Sequence, residues 1–181
     1  NATFSDLVIL FNFMSDATKL VPLIKKKEKA MNTLKVGDKA FAFDAVDQDG
    51  NRHTLADYSG TKLIVFFYPA ASTPGCTAEA CNLTDNYTGL QNAGYEILGV
   101  SADTAAKQKK FKDKYAFPFP LLADTEKSVI QGFGVWGEKK FMGRVYDGIH
   151  RMTFLIDEDG VIERVIQKVK TKDHAAQILS E

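Results

Sequence analysis

The chain has 181 residues, 45% hydrophobic and 25% charged, enough for one domain with a substantial core. Lys plus Arg and Asp plus Glu number 23 each, so no net field favours nucleic acid or an anionic membrane surface. The two cysteines, Cys76 and Cys81, are too few and too close for a secreted disulfide scaffold, which points to a reducing, cytoplasmic setting.

In chain order, Phe4 to Ile24 places Phe4, Leu7, Val8, Phe11, Met14 and Ala17 near helical spacing, which predicts a helix over Ser5–Leu20. No Lys or Arg precedes Lys19, so the charged start of a secretory signal is missing, and Asn12, Ser15, Asp16 and Lys19 interrupt the run too often for a bilayer span. Such a helix would be marginal alone in water and must bury its apolar face on its own domain or in a dimer. Pro22 and the basic run from Lys25 end it, giving an extension and linker at 1–33 before a domain at 34–181. Phe41–Val46, the turn around Gly50 and Arg52–Leu55 read as a β-hairpin. Leu63–Phe67 is an unbroken apolar run, the central strand, followed by a helix over Cys76–Leu90. Tyr95–Ser101 is a buried strand, after which Asp103 can cap a helix over Thr104–Tyr115. Pro118 and Pro120 lead to a short strand at Leu121-Leu122, and Asp124 can cap Lys127–Phe133. Met152–Ile156 and Val161–Ile166 form a second hairpin, and Thr171 can cap a terminal helix ending at Leu179. Alternating β and α elements with two hairpins make an α/β domain, a mixed sheet covered by helices.

The chemistry concentrates in FFYPAASTPGCTAEAC, residues 66–81. Here a buried strand breaks at Pro69, Pro74 and Gly75, and a helix opens near Cys76. Helix starts carry partial positive charge and backbone N–H groups without intrahelical partners, so a cysteine there ionises more readily than a free thiol. Thr73, three residues upstream, is placed to donate its hydroxyl to the sulfur or to a bound oxygen species. Pro69 and Pro74 stiffen the loop and remove two N–H groups, limiting the approach of water. Five residues along a helix is roughly 7.5 Å of rise and about 140° of turn, which puts the two Cα atoms ~8.6 Å apart. A disulfide accepts no more than ~7 Å, so one between Cys76 and Cys81 requires the helix to unwind. On spacing alone, Cys81 is either a thiol that reacts after such a step or a small buried residue.

Pro69-x-x-x-Thr73-x-x-Cys76 resembles the peroxiredoxin active-site pattern P-x-x-x-[TS]-x-x-C, and the following Cys81 resembles the Q subfamily, the bacterioferritin comigratory proteins. Gly134–Lys140 and Arg151–Gly160 also read like that family, so the similarity runs from about Leu34 to the end. The resemblance implies a thioredoxin-like fold with an extra N-terminal helix here. It implies a peroxidatic Cys76, a resolving Cys81 and an arginine at the position of Arg151, whose fork of donors could stabilise a thiolate and orient both peroxide oxygens. Glu79, on the first turn, suits the helix dipole and could also hold Arg151. The implied reaction reduces hydrogen peroxide and organic hydroperoxides, with recycling by thioredoxin or a similar dithiol and with no metal, haem or flavin. His53, His150 and His174 are scattered without metal-ligand spacing, and no phosphate-binding glycine loop is present. A general thiol–disulfide oxidoreductase on the same fold is the alternative, against which the C-x4-C spacing argues. The sequence is compatible with a monomer or a homodimer.

Overall fold

In the computed structural model, which describes residues 31–180, a hairpin of β1 (Asp44–Val46) and β2 (Arg52–Thr54) opens the domain. Asp47 closes its turn by accepting the N–H groups of Asp49 and Asn51 at 2.8 and 2.9 Å. The predicted helix over Ser5–Leu20 lies outside the described residues. β3 (Lys62–Phe67) follows, then α1 (Pro74–Asp85), α2 (Tyr87–Asn92), β4 (Tyr95–Ser101), α3 (Ala105–Tyr115), β5 (Leu121–Ala123) and α4 (Ser128–Gly132). The chain continues through β6 (Trp136–Phe141), β7 (Arg144–Ile149), β8 (Met152–Ile156), β9 (Ile162–Ile166) and α5 (His174–Leu179).

The main sheet has the order β5-β4-β3-β8-β9, parallel among β5, β4 and β3 and antiparallel from β3 to β8 to β9. Leu63, Val65 and Phe67 point to one face, where they pack with Val129, Ile130 and Phe133 of the α4 region. Ile64, Phe66 and Tyr68 point to the other, against Ala80, Leu83, Phe111 and Ile178 of α1, α3 and α5. Helical cover on both faces is why β3 reads as an unbroken apolar run rather than an alternating one. Truncating Phe66 to Ala in such packing costs ~3–5 kcal/mol. The layers make a thioredoxin-like α/β fold. Among the described residues, no helix is long and apolar enough to cross a membrane.

Four local expectations change. The helix predicted over Cys76–Leu90 is two: Asn86 leaves helical geometry (φ −107°, ψ 12°), with its side chain turned back onto Asn82 O at 2.8 Å, which separates α1 from α2. Thr104, not Asp103, caps α3, accepting from the Lys107 N–H, because Asp103 is engaged elsewhere. The terminal helix starts at His174, after the position expected from Thr171. Its cap comes from another element, since Asn82 Oδ1 on α1 accepts the Ala175 N–H at 2.8 Å while Asn82 Nδ2 donates to Lys172 O at 3.1 Å. The β6–β7 hairpin was not anticipated; its strands are largely exposed and carry charges on both sides, so they show no period-two apolar signal.

Candidate active site

β3 runs out at Phe67, and Tyr68 carries on into the core, where its hydroxyl donates to Gln108 Oε1 at 2.5 Å. Tyr68 is therefore a core residue. The loop that follows is pinned by Asp103, whose Oδ2 accepts the Ala71 N–H at 2.6 Å and the Ser101 hydroxyl at 2.8 Å. Ser72 takes a left-handed backbone (φ 66°), a conformation with a steric cost for a non-glycine residue, and turns the chain into the helix. Thr73 then stands at the N-cap and Pro74 at the first helical position, where its missing N–H costs nothing. Pro69 is exposed on the loop.

Cys76 lies in the first turn of α1, and the first bond back to the cap residue runs from Thr77 N to Thr73 O at 2.8 Å. The amides before it face the start of the helix, where anionic groups are favoured. Cys76, Glu79, Ala80 and Leu83 form the buried stripe of α1 at helical spacing. Cys76 is only 1% exposed.

Arg151 arrives from the far side of β3. Met152 is paired with Phe67, so the residue before β8 is delivered beside the loop that leaves β3. Its Nη2 donates to Cys76 Sγ at 3.2 Å, and its Nη1 donates to Glu79 Oε2. One planar guanidinium thus bridges sulfur and carboxyl. The Arg151 side chain is 22% exposed and Glu79 is fully buried, so the guanidinium stands between the interior and solvent. Burial pushes the Glu79 carboxyl up to about 7, against the opposing pull of Arg151. Gly75 permits the approach of the guanidinium: a Cβ there would lie 3.3 Å from Arg151 Nη2.

The structure therefore brings Cys76, Arg151 and Glu79 into one contact chain, with Thr73 and Pro69 on the adjoining loop. The Thr73 hydroxyl differs from expectation. It donates to Ala70 O at 2.9 Å rather than to the sulfur, which leaves its lone pairs to accept. Cys81 is a free thiol off the buried stripe of the same unbroken helix, so bonding to Cys76 needs α1 to open, in agreement with the spacing argument. Burial, with Asp85 adding to it, pushes the Cys81 thiol up, so it is a poor nucleophile while the helix is intact.

Sequence reasoning missed three contributors. Lys139 Nζ donates to Ile149 O at 2.9 Å; burial draws its pKa down, and Arg151 draws it down further while Cys76 opposes. Thr153 and His174 lie behind Glu79, with Thr153 Oγ1 2.8 Å from His174 Nε2 and His174 Nε2 3.7 Å from Glu79 Oε1. A lone histidine in a short terminal helix carries no sequence signal for this. Gly75 was legible as a breaker between two prolines' influence and the helix, but its steric purpose depends on a residue far along the chain.

Comparison with known proteins gives the family. The AhpC/TSA family matches residues 36–165, most of the chain. The chain belongs to that family. Within it, this peroxiredoxin is 49% identical over 150 residues to peroxiredoxin Bcp of Escherichia coli, covering 83% of this chain and 96% of that protein. It is 45% identical over 142 residues to a peroxiredoxin of Mycobacterium tuberculosis, covering 78% and 90% respectively. Among solved structures, a bacterioferritin comigratory protein of Xanthomonas campestris superposes with a TM-score of 0.73 at 34% identity, covering 81% of this chain and 93% of the other. These place the chain in the Bcp, or peroxiredoxin Q, group. The peroxiredoxin is a thiol-based peroxidase, with a peroxide as substrate and a thiol reductant as partner.

Proposed function

We propose that Cys76 is the peroxidatic and Cys81 the resolving cysteine of a monomer-competent peroxidase recycled by thioredoxin or a similar dithiol. The observation that carries the assignment is the Arg151 bridge, one nitrogen 3.2 Å from Cys76 Sγ and the other on Glu79. The Cys76 thiolate attacks one peroxide oxygen along the O–O axis; its electron pair forms the S–O bond, and the O–O pair leaves with the distal oxygen. Arg151 and the helix-start amides stabilise the charge that develops on that oxygen. Thr73, whose proton is committed to Ala70 O, accepts the peroxide O–H and sets its orientation. The products are a Cys76 sulfenic acid and an alcohol or water, the leaving oxygen taking up one proton.

The first turns of α1 then open, and Cys81, released from the burial that suppresses its ionisation, attacks the sulfenic sulfur. Water leaves and a disulfide forms within one chain, so a monomer suffices and a homodimer is not required. The dithiol reductant restores both thiols. Hydrogen peroxide and organic hydroperoxides are the substrates; alkyl peroxide reduction by the Xanthomonas relative supports the second class. The catalytic unit spans 34–181 with 1–33 as an extension, in keeping with a family match that begins at residue 36. Two cysteines five residues apart, with no set of further cysteines to make a disulfide scaffold, support a cytoplasmic location.

The test is peroxide turnover coupled to thioredoxin and its reductase, beside reduction of insulin disulfides by the same protein. Turnover that vanishes in Cys76→Ser, with little insulin reduction, is the expected pattern. Insulin reduction without peroxide consumption would replace this reading with a general thiol–disulfide oxidoreductase.

A further inference from the structure

Behind Arg151 lies a polar cluster that the peroxide chemistry above leaves unused. Glu79 and His174 are both fully buried, with Glu79 Oε1 3.7 Å from His174 Nε2. Glu79 Oε2 accepts from Arg151, yet Oε1, equally buried, has no hydrogen-bond partner. The far side of the imidazole fixes its tautomer. Gln177 Nε2 donates to Lys168 O at 2.8 Å, and Gln177 Oε1 accepts the Lys170 N–H at 2.9 Å, which settles which end of the amide is the acceptor. His174 Nδ1, 3.2 Å from that oxygen, is therefore the protonated ring nitrogen. In a neutral ring the one lone pair of Nε2 accepts the Thr153 hydroxyl at 2.8 Å, so His174 has no donor to offer Glu79 Oε1, 3.7 Å away.

A carboxylate oxygen that is out of water and has no donor is costly, and a protonated carboxyl avoids that cost. Charge count makes the same point. With Cys76 as thiolate and Glu79 as carboxylate, two buried anions would share the one guanidinium that hydrogen-bonds both, Arg151. We propose that His174 is a positioning residue that keeps Glu79 protonated on Oε1 while Cys76 is a thiolate, so that the buried site is neutral before peroxide arrives. This rests on the assignment of Cys76 as the peroxide-reacting thiolate. The charges facing the pair are Cys76 on α1, Arg151 ahead of β8 and Arg164 on β9; both cations disfavour a second proton on His174. Burial agrees, pushing Glu79 up to about 7 and His174 down to about 4.

The stoichiometry follows. Thiolate, hydroperoxide and one proton give sulfenic acid and alcohol; sulfur loses two electrons and the O–O bond gains them. Once the sulfur is neutral, Arg151 is unbalanced and Glu79 gives up its proton. The reaction needs one proton at the leaving oxygen, and the buried pair sheds one.

Infrared difference spectroscopy tests this in Cys81→Ser protein, where oxidation by hydrogen peroxide stops at the sulfenic acid. The reduced state should show a protonated-carboxyl C=O band that moves in D2O, disappears on oxidation and is absent from Glu79→Gln. In His174→Gln, whose amide can donate to Oε1 and so favours the carboxylate, the band should be lost at neutral pH. Sulfenic acid formation should also slow by roughly ten-fold in that variant. Ring-nitrogen NMR of the unsubstituted protein needs no variant and should find His174 neutral, with its proton on Nδ1. An imidazolium at His174, or a reduced protein that reacts with peroxide yet shows no carboxyl band, overturns the inference and leaves the peroxidase assignment intact. A protein that shows the band but does not react overturns the peroxidase assignment on which the inference rests.

Discussion

The buried Glu79–His174 pair makes a quantitative prediction about stability and pH. His174 has an ordinary value of 6.5 and sits near about 4 in the fold. Between those pH values the unfolded chain binds a proton that the folded chain refuses, so stability is lost as pH falls from 6.5 towards 4. At ~1.36 kcal/mol per unit the gap is worth about 3 kcal/mol. Glu79 acts with the opposite sign: its ordinary 4.5 rises to about 7, so the folded chain holds the extra proton and stability is lost as pH climbs from 4.5 towards 7. Where the windows overlap, from 4.5 to 6.5, the folded chain carries one proton on Glu79 and the unfolded chain carries one on His174. The counts match and the pair contributes no slope. Glu79→Gln removes one side of that balance. Relative to wild type, its stability should fall by about 3 kcal/mol between pH 6.5 and 4.5, the part of the Glu79 window in that range, because nothing then offsets the His174 loss. Urea unfolding at a series of pH values, taken as the difference between variant and wild type, cancels the other titrating groups. Parallel curves would refute the reasoning, because they would mean that Glu79 is already ionised in the fold.

Three further substitutions probe the site. Arg151→Met removes the donor on Cys76 Sγ and leaves Glu79 without its cation, so stopped-flow peroxide oxidation should slow on the order of 10²–10³-fold. Cys81→Ser should leave the first oxidation intact but block rapid recycling by thioredoxin; recycling at the wild-type rate would point to another resolving thiol. Asn82→Ala cuts both hydrogen bonds that tie α1 to the start of α5, each worth ~1 kcal/mol net. The residue adjoins Cys81, so opening of α1 becomes easier and the step from sulfenic acid to disulfide should accelerate roughly five-fold or more, read by quenched mass analysis. An unchanged rate would place all of the unwinding at the Cys76 end.

Much of this was legible in the sequence where the signal is local. The apolar run at 63–67, the breakers at Pro69 and Pro74, and a cysteine opening a helix specify the strand, loop and nucleophile from neighbouring residues alone. The incompatibility of helix geometry with a Cys76–Cys81 bond was likewise calculable, and both thiols indeed lie free on one continuous helix. Arg151 comes from the family resemblance and Glu79 from its place on the first turn after Cys76; the register of Phe67 with Met152 supplies the physical reason Arg151 reaches that turn. What escaped the sequence depends on distant partners. Asp103 looks like a helix cap and instead holds the loop at Ala71. The terminal helix takes its cap from Asn82, about ninety residues earlier. The β6–β7 hairpin, exposed on both sides, has no periodicity to detect. The Thr73 hydroxyl is close to the chemistry as expected, but a local carbonyl claims its proton.

The most direct test of the central claim is a single-turnover reaction of the reduced protein with hydrogen peroxide, quenched at intervals and mapped by mass. The account predicts one added oxygen on the peptide carrying Cys76, followed by its conversion into a Cys76–Cys81 disulfide. Oxygen appearing first on Cys81, or a disulfide forming without any oxidised Cys76 before it, would contradict the account.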